Sequence, residues 1–394
     1  MKWHLTQIGS REKYLYPRMI YRKGLLGTFN TDIWFKNVNS LNLPGKFSRI
    51  KSRYHYELKE VQVNSRNLYS ICRMLKPYKG NRFDQWCAQG RIFGNWAANN
   101  IIKNGIDNND TVFGYTGASL EIAETAKSVG ARMVLGQFDP AFYWYKIQNL
   151  ECEKWYGKVL NSYIPTDEYK ERLLKEWNHS DLIIVNSEHC KDALIPYGVN
   201  REKIKILPLP VSIDRDTNIS EKFLANEKIK VIFVGNISFG KGFAYFAEAK
   251  KILNNDKRLS FYAIGDLHIS QEIIEKNKWD LNYTGRLNRE ELKKMYLDSH
   301  ILVFPTLSEG FGQVQLEAMA YGLPVIATEK CGRIVENKRN GIIVKDSNAR
   351  EIAEAILEIA EDRVKYSCMS YCALQTIMKY EFLEIEKKFW EIIK

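Results

Sequence analysis

The chain has 394 residues, enough for two or three domains, and its 45% hydrophobic and 27% charged residues are those of an ordinary globular protein. The 58 Lys and Arg outnumber the 47 Asp and Glu, for a formal charge of +11. No apolar run of 18 residues is present and the N-terminus has no apolar core, so neither a membrane-spanning helix nor a secretory signal is expected. Seven scattered Cys do not form a disulfide framework and point to a reducing compartment. Cys368 and Cys372 lie one helical turn apart with no second pair, and read as small buried hydrophobes rather than metal ligands.

In chain order, a first short strand leads into the loop Gln7-Ile-Gly-Ser-Arg-Glu-Lys-Tyr-Leu-Tyr-Pro. From Lys46 to Arg82 ten basic residues face only Glu57 and Glu60, a local charge of +8. Phe47, Ile50, Tyr54 and Leu58 recur there at helical spacing. Three readings stand: a solvated basic face, a surface for anionic lipid or an anionic acceptor, and nucleic-acid binding, which no zinc-finger or RNA-recognition signature supports. Strands are then expected over 111–115, 132–136, 181–185 and 203–207, with helices over 119–128 and from Ser187 to Pro196. Residues 208–228, with Pro208, Pro210, Asp214 and Asp216, read as a linker. The rhythm restarts with strands over 230–234, 259–264, 281–284, 301–304, 324–327 and 341–344. Helices are expected over 242–254, 289–298, 312–321 and 349–361. An amphipathic segment over 381–394 closes the chain, its apolar face formed by Phe382, Ile385, Phe389 and Ile392. Such alternation specifies α/β architecture: two tandem doubly wound parallel sheets, with the cleft between them as the default site.

Two strand–loop–helix segments carry the chemistry. In the first, over 231–243, Gly235 and Asn236 follow the strand and Lys241 precedes the helix, a place from which an ammonium can meet a diphosphate. It is not a Walker loop. In the second, over 304–326, Glu309, Gly310, Phe311 and Gly312 bridge strand and helix, and Glu317 lies eight positions beyond Glu309. At about 1.5 Å per residue the two carboxylates are at most roughly 12 Å apart, near the span from a sugar across a diphosphate to a ribose. Read from spacing alone, two solvated glutamates beside a turn are the better account.

Together these segments resemble the retaining glycosyltransferases of family 4, which have the GT-B fold. The resemblance covers essentially the whole chain and is strongest over 229–361. It implies an N-terminal acceptor domain over 1–210, a C-terminal nucleotide-sugar domain over 211–380, and a final helix over 381–394 that packs back on the first. It also implies a metal-independent hexosyltransferase with no cofactor, its co-substrate a UDP- or GDP-linked sugar. The acceptor would be a hydroxyl of a glycan or lipid-linked molecule in surface polysaccharide or glycolipid synthesis. The basic, aromatic stretch over 46–82 adds the expectation of a cytoplasmic chain, peripheral at the inner membrane face.

Residue by residue, the resemblance makes Glu309 the contact to the donor sugar and Lys241 the contact to diphosphate. The backbone of Gly310, Phe311 and Gly312 would hold phosphate or sugar, and Glu317 the ribose. Thr284-Gly-Arg286-Leu287 would lie at the base. Gly9, Ser10, Arg11 and Tyr16 are acceptor-side candidates. Two departures stand out. Asn236 occupies the usual place of an Arg, for which Arg286 or Arg333 would have to substitute. Asp139, in Gln137-Phe-Asp-Pro140, occupies the place of a His that faces the sugar. These departures also fit a weakly active or non-catalytic GT-B protein that binds membrane or anionic ligands; a nucleotide-sugar epimerase is a further alternative.

Overall fold

The computed structural model describes residues 1–36, 50–75, 80–211 and 228–394. The expectations for Lys46, Phe47, Arg49, Lys76, Lys79 and most of the linker, including Asp214 and Asp216, fall outside the described residues.

Among the described residues thirteen strands alternate with helices. β1 (Trp3–Gln7), β2 (Leu26–Thr31), β3 (Val63–Ser65), β4 (Thr111–Tyr115), β5 (Arg132–Gln137), β6 (Leu182–Val185) and β7 (Ile204–Ile206) form one sheet in the order β3-β2-β1-β4-β5-β6-β7. β8 (Ile229–Val234), β9 (Leu259–Ile264), β10 (Asn282–Gly285), β11 (Ile301–Phe304), β12 (Val325–Ala327) and β13 (Gly341–Ile343) form the other, ordered β10-β9-β8-β11-β12-β13. The sheets are parallel, and central strands such as Leu182-Ile-Ile-Val185 are continuous apolar runs that lie fully buried, while the edge strand β10 is exposed. The strand order reverses between β1 and β4 in one sheet and between β8 and β11 in the other. Loops leaving the carboxyl ends of those strands diverge and leave a crevice.

The chain separates into two compact units. One comprises 1–137, 165–185 and 195–205; the other comprises 138–164, 186–194 and 206–394. The second unit thus takes in two segments that precede residue 210, as well as the final helix Phe382–Ile393, whose buried face is Ile385, Phe389 and Ile393. Its core is strongly aromatic: Phe233, Phe243 and Phe246 pack between sheet and helix, with Trp279 edge-on to Phe243.

Most elements lie where the sequence puts them, and four observations depart from it. Residues 50–58 contain no α-helix, only short turns such as the 3-10 turn Tyr56–Leu58, so the helical spacing of Ile50, Tyr54 and Leu58 is not a helix face. Cys368 is exposed and Cys372 half-buried, not core residues. Tyr16 is fully buried and stacks on Phe113 at 4.3 Å, so its place is in the core and not on an acceptor surface. Finally, the helices Arg82–Lys103, Ala141–Tyr156, Asp167–His179 and Arg363–Ile377 were not marked by sequence pattern. Gly90 and Gly94 weaken helix propensity in the first of these. Tertiary packing outweighs that loss, because a Cβ on Gly90 would stand 1.9 Å from the Gly117 carbonyl and one on Gly94 2.1 Å from the Glu121 carboxylate. Among the described residues no helix is long and apolar enough to cross a membrane.

Candidate active site

The second unit's crevice is built by the loops after β8 and β11. The β8 loop ends in a 3-10 turn, Phe239–Lys241, and Gly242 then takes φ 72° to start the helix Phe243–Ile252. A Cβ on Gly242 would meet the Pro305 carbonyl at 1.8 Å, so glycine is what lets the two loops touch. The Leu307 N–H donates to the Gly240 carbonyl (3.0 Å) and the Thr306 hydroxyl to the same oxygen (3.3 Å), locking the loops together.

This register brings Lys241 Nζ onto Glu309 Oε2 in a direct ion pair. Both side chains remain about one-quarter exposed. The Glu309 backbone is held in turn, its N–H donating to the Lys330 carbonyl at 2.8 Å. An ammonium and a carboxylate, 68 positions apart, therefore meet at the sheet's reversal point with faces open to solvent. Next to them Gly310 sits against the Phe138 carbonyl, which a Cβ would approach to 2.0 Å. Asn186 Nδ2 donates to that same carbonyl (3.0 Å), and the Cys190 thiol to the Gly310 carbonyl (3.7 Å).

His189 completes this wall, and nothing in the sequence marked it. Its Nε2 lies 3.2 Å from Ser308 Oγ and its ring stands edge-on to Tyr143. Burial, reinforced by the nearby Lys330 charge, pulls its pKa down to about 4, so the ring is neutral at physiological pH. The signal was faint: a His four positions after the strand Leu182–Val185, in the short helix Glu188–Leu194. Asp139 lies on the same wall. Its Oδ1 accepts from the Ala141 N–H (2.8 Å), closing the turn that starts the helix Ala141–Tyr156, while the residue stays exposed.

The remaining donor-side candidates spread along the sheet's carboxyl edge. Gly235 takes φ 138° and its carbonyl backs Gly265; Asn236 is exposed beside it. Phe311 is buried against Tyr380, and Gly312, at φ 81°, caps the helix Gln313–Met319. Glu317 is on the exposed side of that helix and accepts from the Tyr296 hydroxyl at 3.2 Å, and the Tyr296 ring stacks on Tyr321. Arg286 follows β10, two strands from β8, and is 73% exposed, with Asp266 at 3.9 Å. Arg333 is exposed too.

In the first unit, the loop after β1 runs at positive φ through Glu12, Lys13 and Tyr14. Gly9 N–H donates to Asp32 Oδ1 (2.9 Å) and Ser10 Oγ to Ser52 Oγ (3.1 Å), while Arg11 lies over the Tyr115 ring. Glu12 accepts from the Tyr115 hydroxyl at 2.7 Å, and its burial raises its pKa. These loops bring Gly9, Ser10 and Arg11 to one end of the sheet.

Two parallel α/β sheets of this order define the class: the chain has the GT-B fold. It aligns over 100% of its length, and 99% of the other, with Anabaena HepE in complex with UDP and glucose (TM-score 0.64, 15% identity). It aligns equally fully with the apo lipopolysaccharide outer core galactosyltransferase WaaB (TM-score 0.64, 13% identity). Residues 214–375 match the family model for glycosyl transferases group 1. Among curated relatives it is 31% identical to an uncharacterized 41.2 kDa protein in the cps region of Klebsiella pneumoniae, over 52% of this chain and 56% of that one. It is 30% identical to the capsular polysaccharide biosynthesis glycosyltransferase CapM of Staphylococcus aureus, over 46% and 52% respectively. The chain thus spans about half the length of the curated relatives it matches.

Proposed function

We propose that this chain is a retaining glycosyltransferase that moves a sugar from a UDP- or GDP-linked donor to a hydroxyl of a glycan or lipid-linked acceptor, in surface polysaccharide synthesis. The observation that carries the reading is the Lys241–Glu309 pair at the reversal point of the second sheet. A diphosphate entering there exchanges the Lys241 partner: the ammonium turns from carboxylate to phosphate, and Glu309 is released to accept from sugar hydroxyls. Lys241 then stabilises the charge that develops on the leaving diphosphate. In a front-face course the leaving phosphate oxygen takes the acceptor proton, so no separate base is needed. Asp139, exposed on the same wall, takes a hydrogen bond from the sugar or the acceptor. Glu317 binds the ribose diol, and Arg286 supplies the second cation in place of Asn236. The first sheet, with Gly9, Ser10 and Arg11, serves the acceptor; the second serves the donor.

The similarity to CapM and the position of another relative in a capsule region support the pathway, and the complexes of HepE with UDP and UDP-glucose support the donor class. A basic first unit suits an anionic acceptor or an anionic membrane face. A thermal-shift panel of UDP-, GDP-, ADP- and dTDP-sugars on wild type and Lys241→Ala tests the reading. One nucleotide at 100 times its dissociation constant should stabilise the wild type by about 2.7 kcal/mol, a shift of a few degrees, and the variant far less. No response to any of the four overturns it.

A further inference from the structure

A second site lies wholly within the first unit. The carboxyl ends of β1 and β2 and the helices Asn67–Leu75 and Arg82–Lys103 enclose a cleft of about 410 Å³, lined by Ile8, Asp32, Arg53, Arg66, Tyr69 and Arg73 among others. Three guanidiniums thus face one carboxylate. Asp32 is already engaged: Oδ1 accepts from the Gly9 N–H (2.9 Å) and from Arg53 Nη1 (3.0 Å). Its backbone carbonyl takes the Arg66 N–H and the Ser70 hydroxyl, so the cleft floor is rigid. The nearby Glu57 is engaged elsewhere, paired with Arg18 at 2.6 Å.

Arg66 and Arg73 have no carboxylate in ion-pair range among the described residues. Arg66 instead donates Nη1 to the Ile92 carbonyl (3.2 Å) and lies over the Tyr69 ring at 4.1 Å and the Trp96 ring at 5.8 Å. Stacking and a carbonyl contact fix the guanidinium plane and leave most of its charge uncompensated. A pre-oriented Arg fork of this kind matches the oxygens of a phosphate. The cleft volume is that of a small-molecule site. Leu68 and Tyr69 are exposed beside it, which gives an apolar chain a surface to lie on next to an anionic head.

We propose that this cleft binds a phosphate or diphosphate group of the acceptor, held by Arg53, Arg66 and Arg73. Calling that ligand the acceptor rests on the transferase reading above; the anion site itself does not. The phosphate belongs either to a free sugar phosphate or to a lipid headgroup, and the test separates the two. Glucose 1-phosphate, with glucose as control, and phosphatidylglycerol vesicles, with phosphatidylcholine vesicles as control, are titrated into a Lys241→Ala background, which removes the donor-side cation. The same titrations are run with Arg66→Ala and Arg73→Ala added. Arg73 makes no hydrogen bond among the described residues, so Arg73→Ala keeps the proposal testable if loss of Arg66 perturbs folding.

Binding of glucose 1-phosphate but not glucose, weakened at least tenfold by Arg73→Ala, gives the soluble source. Binding of phosphatidylglycerol vesicles alone, lost in the same variant, gives the lipid source. Equal binding of phosphorylated and unphosphorylated probes, or binding indifferent to both Arg substitutions, overturns the proposal. UDP-glucose binding is measured in parallel on Arg73→Ala with Lys241 intact. It should equal wild type; if neither protein binds any nucleotide sugar, the transferase reading fails while the anion result stands.

Discussion

Lys241 and Glu309 illustrate how one contact divides between stability and binding. Each side chain is about one-quarter exposed, so their ion pair is screened, and losing it costs at most about 1 kcal/mol of folding stability. A lost hydrogen bond to a charged phosphate costs more. Lys241→Ala is therefore expected to weaken donor binding by about 1.5–3 kcal/mol, roughly ten- to a hundredfold, while urea unfolding changes little. A parallel collapse of both quantities would place Lys241 in the scaffold. His189 behaves oppositely. Its pKa is lowered from 6.5 to about 4 by burial and then by Lys330, so its contribution to stability is full above pH 6.5 and is lost as pH falls through 4. The loss is at most about 3 kcal/mol. Burial and Arg18 also lower His55, to about 4, so the wild-type acid limb sums at least two histidines. His189→Gln keeps a donor near Ser308 without the titration, and should flatten the stability profile between pH 6.5 and 4 relative to wild type. Superimposable profiles would remove His189 from the wall assigned to it.

Elements place these residues. The 305–312 loop can approach 138 and 186–190 only because Gly310 has no side chain. Gly310→Ala should destabilise the chain by about 1–3 kcal/mol, as overpacking does, and lower nucleotide-sugar affinity by shifting Glu309. Retained affinity at wild-type strength would show that the loop yields without moving Glu309. In the first unit the helix Leu120–Val129 starts without a cap from Ser119. Glu176, from another helix, supplies it: Oε2 accepts from the Gly117 N–H (2.6 Å), and Oε1 from Ser119 and Leu120 (2.9 and 3.1 Å). Arg172 pairs with Glu121 at 2.7 Å and stands 3.6 Å from Glu176. Glu176→Ala strands buried donors and should cost about 3–5 kcal/mol in equilibrium unfolding, and Glu176→Gln, which keeps one acceptor oxygen, clearly less. The sequence pattern starts this helix at Ser119, within a residue of the observed boundary. It could not see Glu176, 57 positions away, because capping by a distant carboxylate leaves no local periodicity.

For the whole molecule, two sheets with separate reversal points predict separable ligand responses. In hydrogen exchange, a nucleotide sugar should slow amides over 235–242 and 305–313, and a sugar phosphate those of 8–11 and 63–73; protection confined to one unit by both ligands would contradict the division of labour. What the sequence determined by itself is what short-range pattern encodes: the alternation of strands and helices, the Gly-punctuated loops after β8 and β11, and Glu309 and Lys241 within them. Apolar runs of four to six residues and glycines at strand ends carry that information locally. Only the tertiary structure decided which distant groups meet. It buried Tyr16 against Phe113, set His189 on Ser308, fitted Gly310 under the Phe138 carbonyl, and gathered Arg53, Arg66 and Arg73 around one cleft. These contacts join segments far apart in the chain, selected by close packing and by the need to pair buried polar groups, neither of which a linear pattern records.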